Sequence, residues 1–331
     1  MSATCWKRSA DIVPADATRK GWRIQDDTDD ADPMADETTR LQIQAKVREA
    51  LQWGRLYGGG NVFIVTDDEL PEAFLGKPWE WLQKPLDLAR VRRVLNLVVL
   101  DPSECRPYDY EGDPRSPRFR EPRTWLVSPS SNASSPMAGG NIVHHTRMLY
   151  FPGKRLPSTV RHSNRGIDDS VLDAVWDQIR NRTSVDQAGA LLAQELKLNV
   201  LKIEGLSALS TSDQADLFEM RMKVMAKSKS LNNLVMLGDG ETFETLATPL
   251  SGFSDLDRNS REALLAVTGM PAELLFGDAP GGLSTDGDSH RMLWGNVIAA
   301  YQADRLSGPL HDLYTILYAC RLGPTQGRTP E

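Results

Sequence analysis

The stretch GIDDSVLDAVWDQIRNRTSVDQAGALLAQELKL (residues 166–198) decides how this chain is read. Val171, Leu172, Val175, Trp176 and Ile179 fall on one apolar stripe, so the spacing predicts a long helix from Asp168 to about Leu196. Asp168, Asp169 and Ser170 suit its electropositive N-terminus. Beyond it, Asn199 to Glu204 alternates apolar and polar residues as a strand does. Ser212 is placed to cap a helix running to Ser228, on which Ala215, Phe218, Met222 and Met225 recur at helical spacing. Leu234 to Leu237, the turn Gly238-Asp239-Gly240 and the return Glu241 to Leu246 read as a hairpin. A second helix, Ser251 to Val267, is closed by Gly269 and Pro271. A glycine-rich loop, Gly277 to Ser289, precedes a long helix from His290 to Leu317 that is interrupted near Gly308-Pro309. Two helices bracketing a small α/β insert are an unusual plan for a single-chain enzyme core.

Upstream, Leu41, Ile43, Val47, Ala50, Leu51 and Trp53 recur at helical spacing between Thr38 and Leu56. Tyr57-Gly58-Gly59-Gly60-Asn61 stops that helix, and Val62 to Val65 reads as a strand. Helix, glycine turn, strand is the reverse of a phosphate-binding strand–loop–helix, and no G-K-[ST] follows. Residues 94–101 (VLNLVVLD) make a second buried strand. The stretch 102–141 is loop-rich, punctuated by Pro102, Pro107, Pro114, Pro117, Pro122, Pro129 and Pro136, with a strand at Thr124 to Val127. Ile142 to Phe151 gives one more strand. Residues 1–40 are polar, with an acidic cluster at Asp26, Asp27, Asp29, Asp30, Asp32, Asp36 and Glu37, and read as a solvated arm or loop. The fold class is therefore α+β, with a mixed α/β first half.

The composition narrows the function. A net charge of −7 argues against a chain that grips nucleic acid over its whole surface, because neutralising phosphates takes a surplus of Lys and Arg. Forty per cent hydrophobic and 25% charged residues fit a folded soluble protein. Cys5, Cys105 and Cys320 are far apart, which suggests neither a disulfide framework nor a zinc site. The longest aliphatic stretch, around Leu97 to Leu100, is too short for a membrane span, and no signal peptide is evident. A cytoplasmic setting is expected, and the N-x-S/T matches at Asn132 and Asn181 read as chance.

Candidate catalytic groups are few. His144-His145 lies in an expected strand, which would send the two rings to opposite faces and suit structural roles. Asp286-x-Asp288 followed by His290 could imitate a metal-assisted hydrolase, without a second ligand cluster to complete it. G-x-S-x-G and H-E-x-x-H are missing. The expectation is a protein without catalytic residues, bound metal or cofactor.

Several motifs converge in order along the chain. They are Trp53-Gly54-Arg55-Leu56-Tyr57-Gly58-Gly59, Val143-His144-His145-Thr146-Arg147-Met148-Leu149-Tyr150-Phe151-Pro152-Gly153 and Gly166-Ile167-Asp168-Asp169-Ser170-Val171-Leu172. Thr268-Gly269-Met270-Pro271-Ala272-Glu273-Leu274-Leu275-Phe276-Gly277 and Gly281-Gly282-Leu283-Ser284-Thr285-Asp286-Gly287 follow. Over roughly residues 10–320 the chain resembles the portal proteins of tailed bacteriophages. The resemblance implies an N-terminal arm (1–20), a wing (21–165), a first stem helix (166–198), a clip (199–249) and a second stem helix (250–270). A tunnel-loop region (271–290), a wing return helix (291–320) and a disordered tail (321–331) complete it, with the helical crown of similar portals absent or reduced, or the chain cut short before it.

The resemblance also implies partners: other copies of the chain in a homo-oligomeric ring, usually a dodecamer, around a channel for double-stranded DNA. Such rings sit at the capsid portal vertex of the virion after assembly in the bacterial host cytoplasm. There they meet the major capsid protein, the large terminase packaging motor and the head–tail adaptor. A different connector, such as an adaptor, would keep the ring but lose the stem–clip–stem order. On this reading the tunnel loop comprises Asp278, Gly281, Gly282, Leu283, Ser284, Thr285, Asp286 and Asp288, and has no Lys or Arg. Asp173, Asp177, Arg180 and Glu195 are the stem-lining candidates, on a helix where Asp168, Asp169 and Asp186 add to the carboxylates against Arg182 and Lys197. An acid-weighted lining would let a duplex slide rather than hold it. Phe218, Met220, Met222 and Met225 are candidates for clip contacts between subunits, with Met220 off the stripe of the other three.

Overall fold

Helix, glycine turn and strand come out as the sequence expects, and they organise the first unit. In the computed structural model the described residues are 2–22, 31–128, 140–195, 197–202, 219–220, 223–224, 242–247, 252–277 and 287–327. The chain divides into two units, residues 1–180 with 262–331, and residues 181–261. In chain order the elements begin with α1 (Ser2–Arg19), α2 (Ala31–Arg40), α3 (Ile43–Tyr57), β1 (Gly59–Asp68), α4 (Pro78–Leu82) and β2 (Val91–Leu100). Next come β3 (Cys105–Tyr110), β4 (Pro122–Val127), β5 (Asn141–His144), β6 (Met148–Pro152) and α5 (Ser158–Ser163). The remainder are α6 (Val171–Glu195), β7 (Lys197–Lys202), β8 (Thr242–Ala247), α7 (Phe253–Thr268), α8 (Ala272–Leu275), α9 (Gly287–Arg305) and α10 (Ser307–Ala319).

The first unit holds two three-stranded sheets, ordered β2-β1-β6 and β3-β4-β5. Helix α3 packs on the first, with Ile43, Val47, Ala50 and Leu51 buried against Val62, Ile64 and Phe151. The approach is close because of glycine. A Cβ at Gly54 would stand 2.6 Å from the Phe151 carbonyl oxygen. Gly58 ends α3 at φ +84°, a conformation that costs little only for glycine, and its Cβ would run into the Asp168 carbonyl. Strand β2 buries every third residue, Val91, Val94, Leu97 and Leu100, instead of every second. Its register with β1 slips at Val65/Thr66 and again at Asp67/Asp68, so Leu95 and Arg92 are extra residues in bulges. The two bulges stretch the two-residue alternation to three between Val91 and Leu97, whereas Leu100, past the bulges, packs in the separate cluster with Cys105 and Trp125.

Three expectations are corrected here. Residues 2–19 and 31–40 are helical, not a solvated arm or loop. Val13, Ala17 and Met34 are buried in the main core, Trp294 Nε1 donates to Asp16 at 2.8 Å, and Arg40 pairs with Glu37 of the acidic cluster. The polar composition hid these helices because their buried faces are narrow and small-residued. Second, Ile142 to Phe151 is not one strand. β5 ends at His144, a 3-10 turn spans His145–Arg147, and β6 crosses to the other sheet. Third, residues 321–327 of the expected disordered tail are held by specific bonds. Arg321 and Leu322 donate backbone N–H groups to Val91 and Arg92, and the Thr325 hydroxyl, 3% exposed, donates to the Tyr318 carbonyl at 2.7 Å.

In the second unit β7 and β8 pair antiparallel, with Lys197 opposite Ala247 and Lys202 opposite Thr242. The strand expected at 199–204 is thus β7, and the expected hairpin return is β8, which closes on β7. Most of the residues between β7 and β8, including the expected helix at 212–228, lie outside the described residues. Near the end of the chain the helix break falls at Leu306, with Pro309 seated in the first turn of α10, where its missing N–H costs nothing.

Candidate functional site

Within the 166–198 stretch the helix runs from Val171 to Glu195, so Asp168 to Ser170 precede it and Lys197 opens β7; α6 presents two different faces. Val175 and Ile179 are 1% and 8% exposed and pack with Leu264 of α7 in the main core. Trp176 leaves the expected apolar stripe and is 61% exposed. Its position one residue past Val175 turns it about 100° away from the core. The exposed flank carries Asp173, Asp177, Arg180, Asn181, Ser184 and Gln187, a run of three- and four-residue steps that keeps them on one stripe. Asp177 and Arg180 pair at 3.4 Å in solvent, and a hydrogen bond with Asp169 raises the Asp173 carboxyl above its ordinary range. The stripe is polar and carries one more carboxylate than guanidinium.

Within the second unit, Arg182 ties α6 to α7. It pairs with Asp186 at 2.7 Å, with Asp257, and donates to Ser260 Oγ at 2.9 Å. Phe253 packs against Gly189, where any side chain would collide with its ring. The helices that lead into and out of the second unit are thus cross-braced by a guanidinium and an aromatic ring.

Among the other expected site residues, Met220 is 64% exposed. Phe218, Met222 and Met225 lie outside the described residues, as do Asp278 and Gly281 to Asp286. The backbone of Asp288 and His290 belongs to α9, which begins at Gly287, and their side chains are outside the description together with that of Glu195. Among the described residues no three His, Cys, Asp or Glu side chains gather as a metal site. No described helix is long and apolar enough to cross a membrane.

The two histidines do not point to opposite faces. The strand stops at His144, so both rings lie together with centroids 4.4 Å apart. Arg118 donates to His145 Nδ1 at 2.7 Å, which requires that nitrogen to be an unprotonated acceptor. Burial together with Arg118 and other nearby guanidinium groups pushes His144 down to about 4 and His145 down to about 3. The pair is neutral at physiological pH. Cys320 is buried and pushed up to about 11, and burial pushes the Cys105 thiol still higher, so neither is a reactive thiolate.

The sequence reading missed a buried ion pair in the first unit. Arg147 and Asp68 meet at 2.6 Å with side chains 1% and 5% exposed. Arg147 also donates to Thr66 Oγ1 at 2.8 Å, and Trp81 Nε1 donates to Asp68 at 2.9 Å. The available signal was an Arg between two apolar strand segments, which reads as surface until the turn at His145–Arg147 is known.

The fold is shared with chains of gene transfer agent particles. A chain of the virion of a native gene transfer agent particle is 10% identical with a TM-score of 0.52, covering 98% of this chain and 78% of that one. A chain from the neck of an empty gene transfer agent particle computed with C6 symmetry gives 0.51 over the same shares. At that identity the likeness is one of fold. In sequence, a Haemophilus influenzae protein of uncharacterized role is 26% identical over 319 residues, 95% of this chain and 66% of that protein. A Caulobacter protein named anti-CBASS protein Acb1 is 25% identical over 332 residues, 95% of this chain and 50% of that protein. The chain therefore spans about two thirds and one half of these relatives. The phage portal protein family matches residues 2–329, the length of both units, and this chain belongs to it.

Proposed function

We propose that the chain is the ring subunit of a portal vertex, forming the channel through which double-stranded DNA enters and leaves a capsid. The observation that carries this is the family match over residues 2–329 together with the order α6, β7/β8, α7, in which two helices bracket a small strand pair. In this reading α6 and α7 are the stem (166–198 and 250–270), 199–249 is the clip, and 21–165 with 291–320 is the wing. The polar stripe with Asp173, Asp177 and Arg180 faces the duplex, together with Glu195. Its slight acid excess supports passage without retention, since each added cation would bind phosphate and release counterions. The loop with Asp278 and Asp286 forms the constriction.

A closed ring needs two different faces of one subunit to meet. Met292, Leu293 and Val297, 70%, 63% and 49% exposed on α9, supply apolar surface for such a contact in the wing, and Met220 does so in the clip. The clip docks the terminase motor and then the head–tail adaptor, and the wing meets the major capsid protein. The virion is the site of action and the host cytoplasm the site of assembly. The role is structural, with the motor supplying hydrolysis. The sedimentation mass of the purified chain tests this. A discrete species at a multiple of 36.7 kDa, with twelve copies expected, supports the ring, and Met292→Asp with Val297→Asp should shift it towards monomer.

A further inference from the structure

The chain carries a net charge of −7, yet residues 154–165 (KRLPSTVRHSNR) hold Lys154, Arg155, Arg161 and Arg165 and no carboxylate. This segment runs from the end of β6 through α5 to the approach to α6. Lys154, Arg155 and Arg165 are exposed and Arg161 is half-buried. Arg155 pairs with Asp304 at 3.4 Å. Among the described residues Lys154, Arg161 and Arg165 make no ion pair, and the carboxylates that follow in sequence are already engaged. Asp168 is 1% exposed and accepts from the Tyr150 hydroxyl at 3.0 Å and the Leu156 N–H at 3.1 Å. Asp169 shares a hydrogen bond with Asp173.

Backbone bonds hold the segment in one shape. Lys154 and Asp169 exchange N–H and carbonyl bonds, the Gly166 N–H closes on the Arg161 carbonyl at 2.8 Å, and Asn164 Nδ2 donates to the Ile167 carbonyl at 3.1 Å. The cations are therefore presented from a braced surface. Cations gathered without counter-charge specify a polyanion, because they attract phosphates and displace the condensed counterions. Two features favour a nucleic-acid backbone over an acidic protein. Ser158 and Thr159 add exposed hydroxyl groups of the kind that contact phosphate. Val160, 50% exposed, is the one large exposed apolar side chain of the segment, whereas a protein interface has an apolar centre.

We propose that residues 154–165 are a phosphate-binding patch for double-stranded DNA, with Lys154, Arg161 and Arg165 as its phosphate contacts. The choice of DNA rests on the portal reading, but the assay does not read ring formation, so its failure leaves that reading standing. The probe is a fluorescein-labelled duplex of mixed sequence, titrated with the full chain and followed by anisotropy between about 50 and 200 mM salt. Three contacts predict that log affinity falls against log salt with a slope of about −2.7. Arg161→Gln/Arg165→Gln should make that slope shallower by about 2 and weaken binding about tenfold on every sequence. Lys77→Gln/Arg115→Gln, which removes the same charge from exposed paired positions, should bind as the unaltered chain does. In the unaltered protein the duplex should slow acetylation of Lys154 several-fold, which decides the matter even if a variant misfolds. Absence of salt-dependent binding, an unchanged slope in a folded Arg161→Gln/Arg165→Gln variant, or an equal loss in Lys77→Gln/Arg115→Gln would each overturn the proposal. So would displacement of the duplex by an equal charge of poly-glutamate, or acetylation of Lys154 at the same rate with and without DNA.

Discussion

Replacing Arg147 by Met should destabilise the first unit far more than an ordinary surface change, and the structure sets the scale. The guanidinium is 1% exposed and its carboxylate partner 5%, at 2.6 Å. Met keeps most of the aliphatic bulk but leaves Asp68 with the Trp81 N–H as its remaining donor among the described residues. Breaking one side of a buried pair costs about 3–5 kcal/mol, because an uncompensated charge remains in the interior. Against a domain stability of about 5–15 kcal/mol, that is a large fraction. Removing both charges in Asp68→Leu/Arg147→Met should recover most of the loss, since a hydrophobic replacement of a buried pair is often neutral or better. The assay is urea unfolding followed by tryptophan fluorescence for wild type, both single variants and the double. The reasoning fails if Arg147→Met costs less than about 1 kcal/mol, the scale of an exposed pair. It fails equally if the double variant is no more stable than Arg147→Met.

Other outcomes follow from the same geometry. Gly58→Ala should cost at least about 1–2 kcal/mol from its left-handed backbone alone, with the Asp168 carbonyl adding to that, whereas Gly76→Ala, which meets open space, should be near neutral in the same thermal melts. Arg182→Met should loosen the second unit by about 2–3 kcal/mol, the worth of bonds to charged partners, visible as faster limited proteolysis within residues 181–261. His144 and His145 titrate below their ordinary value, so the unfolded chain takes up protons first as pH falls. Their contribution is complete above about pH 6.5 and declines as pH drops through the folded values of about 4 and about 3, so His144→Gln/His145→Gln should flatten the unfolding midpoint over that window. Asp173→Lys/Asp177→Lys should raise DNA retention by the assembled particle at low salt, with the excess disappearing as salt rises.

The elements that local pattern could reveal were those whose partners are close in sequence. Helix α3 announces itself by its apolar spacing and glycine stop, α6 by its stripe and acidic start, and α7 by the Gly269-Met270-Pro271 exit. What stayed hidden depends on distant partners. α1 and α2 bury a few small or isolated side chains, α1 against α3, α8 and α9 and α2 against α3, and most of these partners lie far away in sequence. The bulges of β2 break the alternation that would mark its buried face. The turn at His145–Arg147 looks like strand because its residues are compatible with one, and only the burial of Arg147 against Asp68, 79 positions away, shows why the chain bends there. Of the candidate site, the polar flank of α6 was legible as charge balance along a helix, while the exposure of Trp176 was not, since one stripe on a wheel does not say how wide the core is.

Imaging of the purified chain tests the central claim most directly. The portal reading predicts class averages of closed rings with a central channel wide enough for double-stranded DNA, in one dominant symmetry. A population that stays monomeric across protein concentration, salt and magnesium, with no ring in any class, would contradict it.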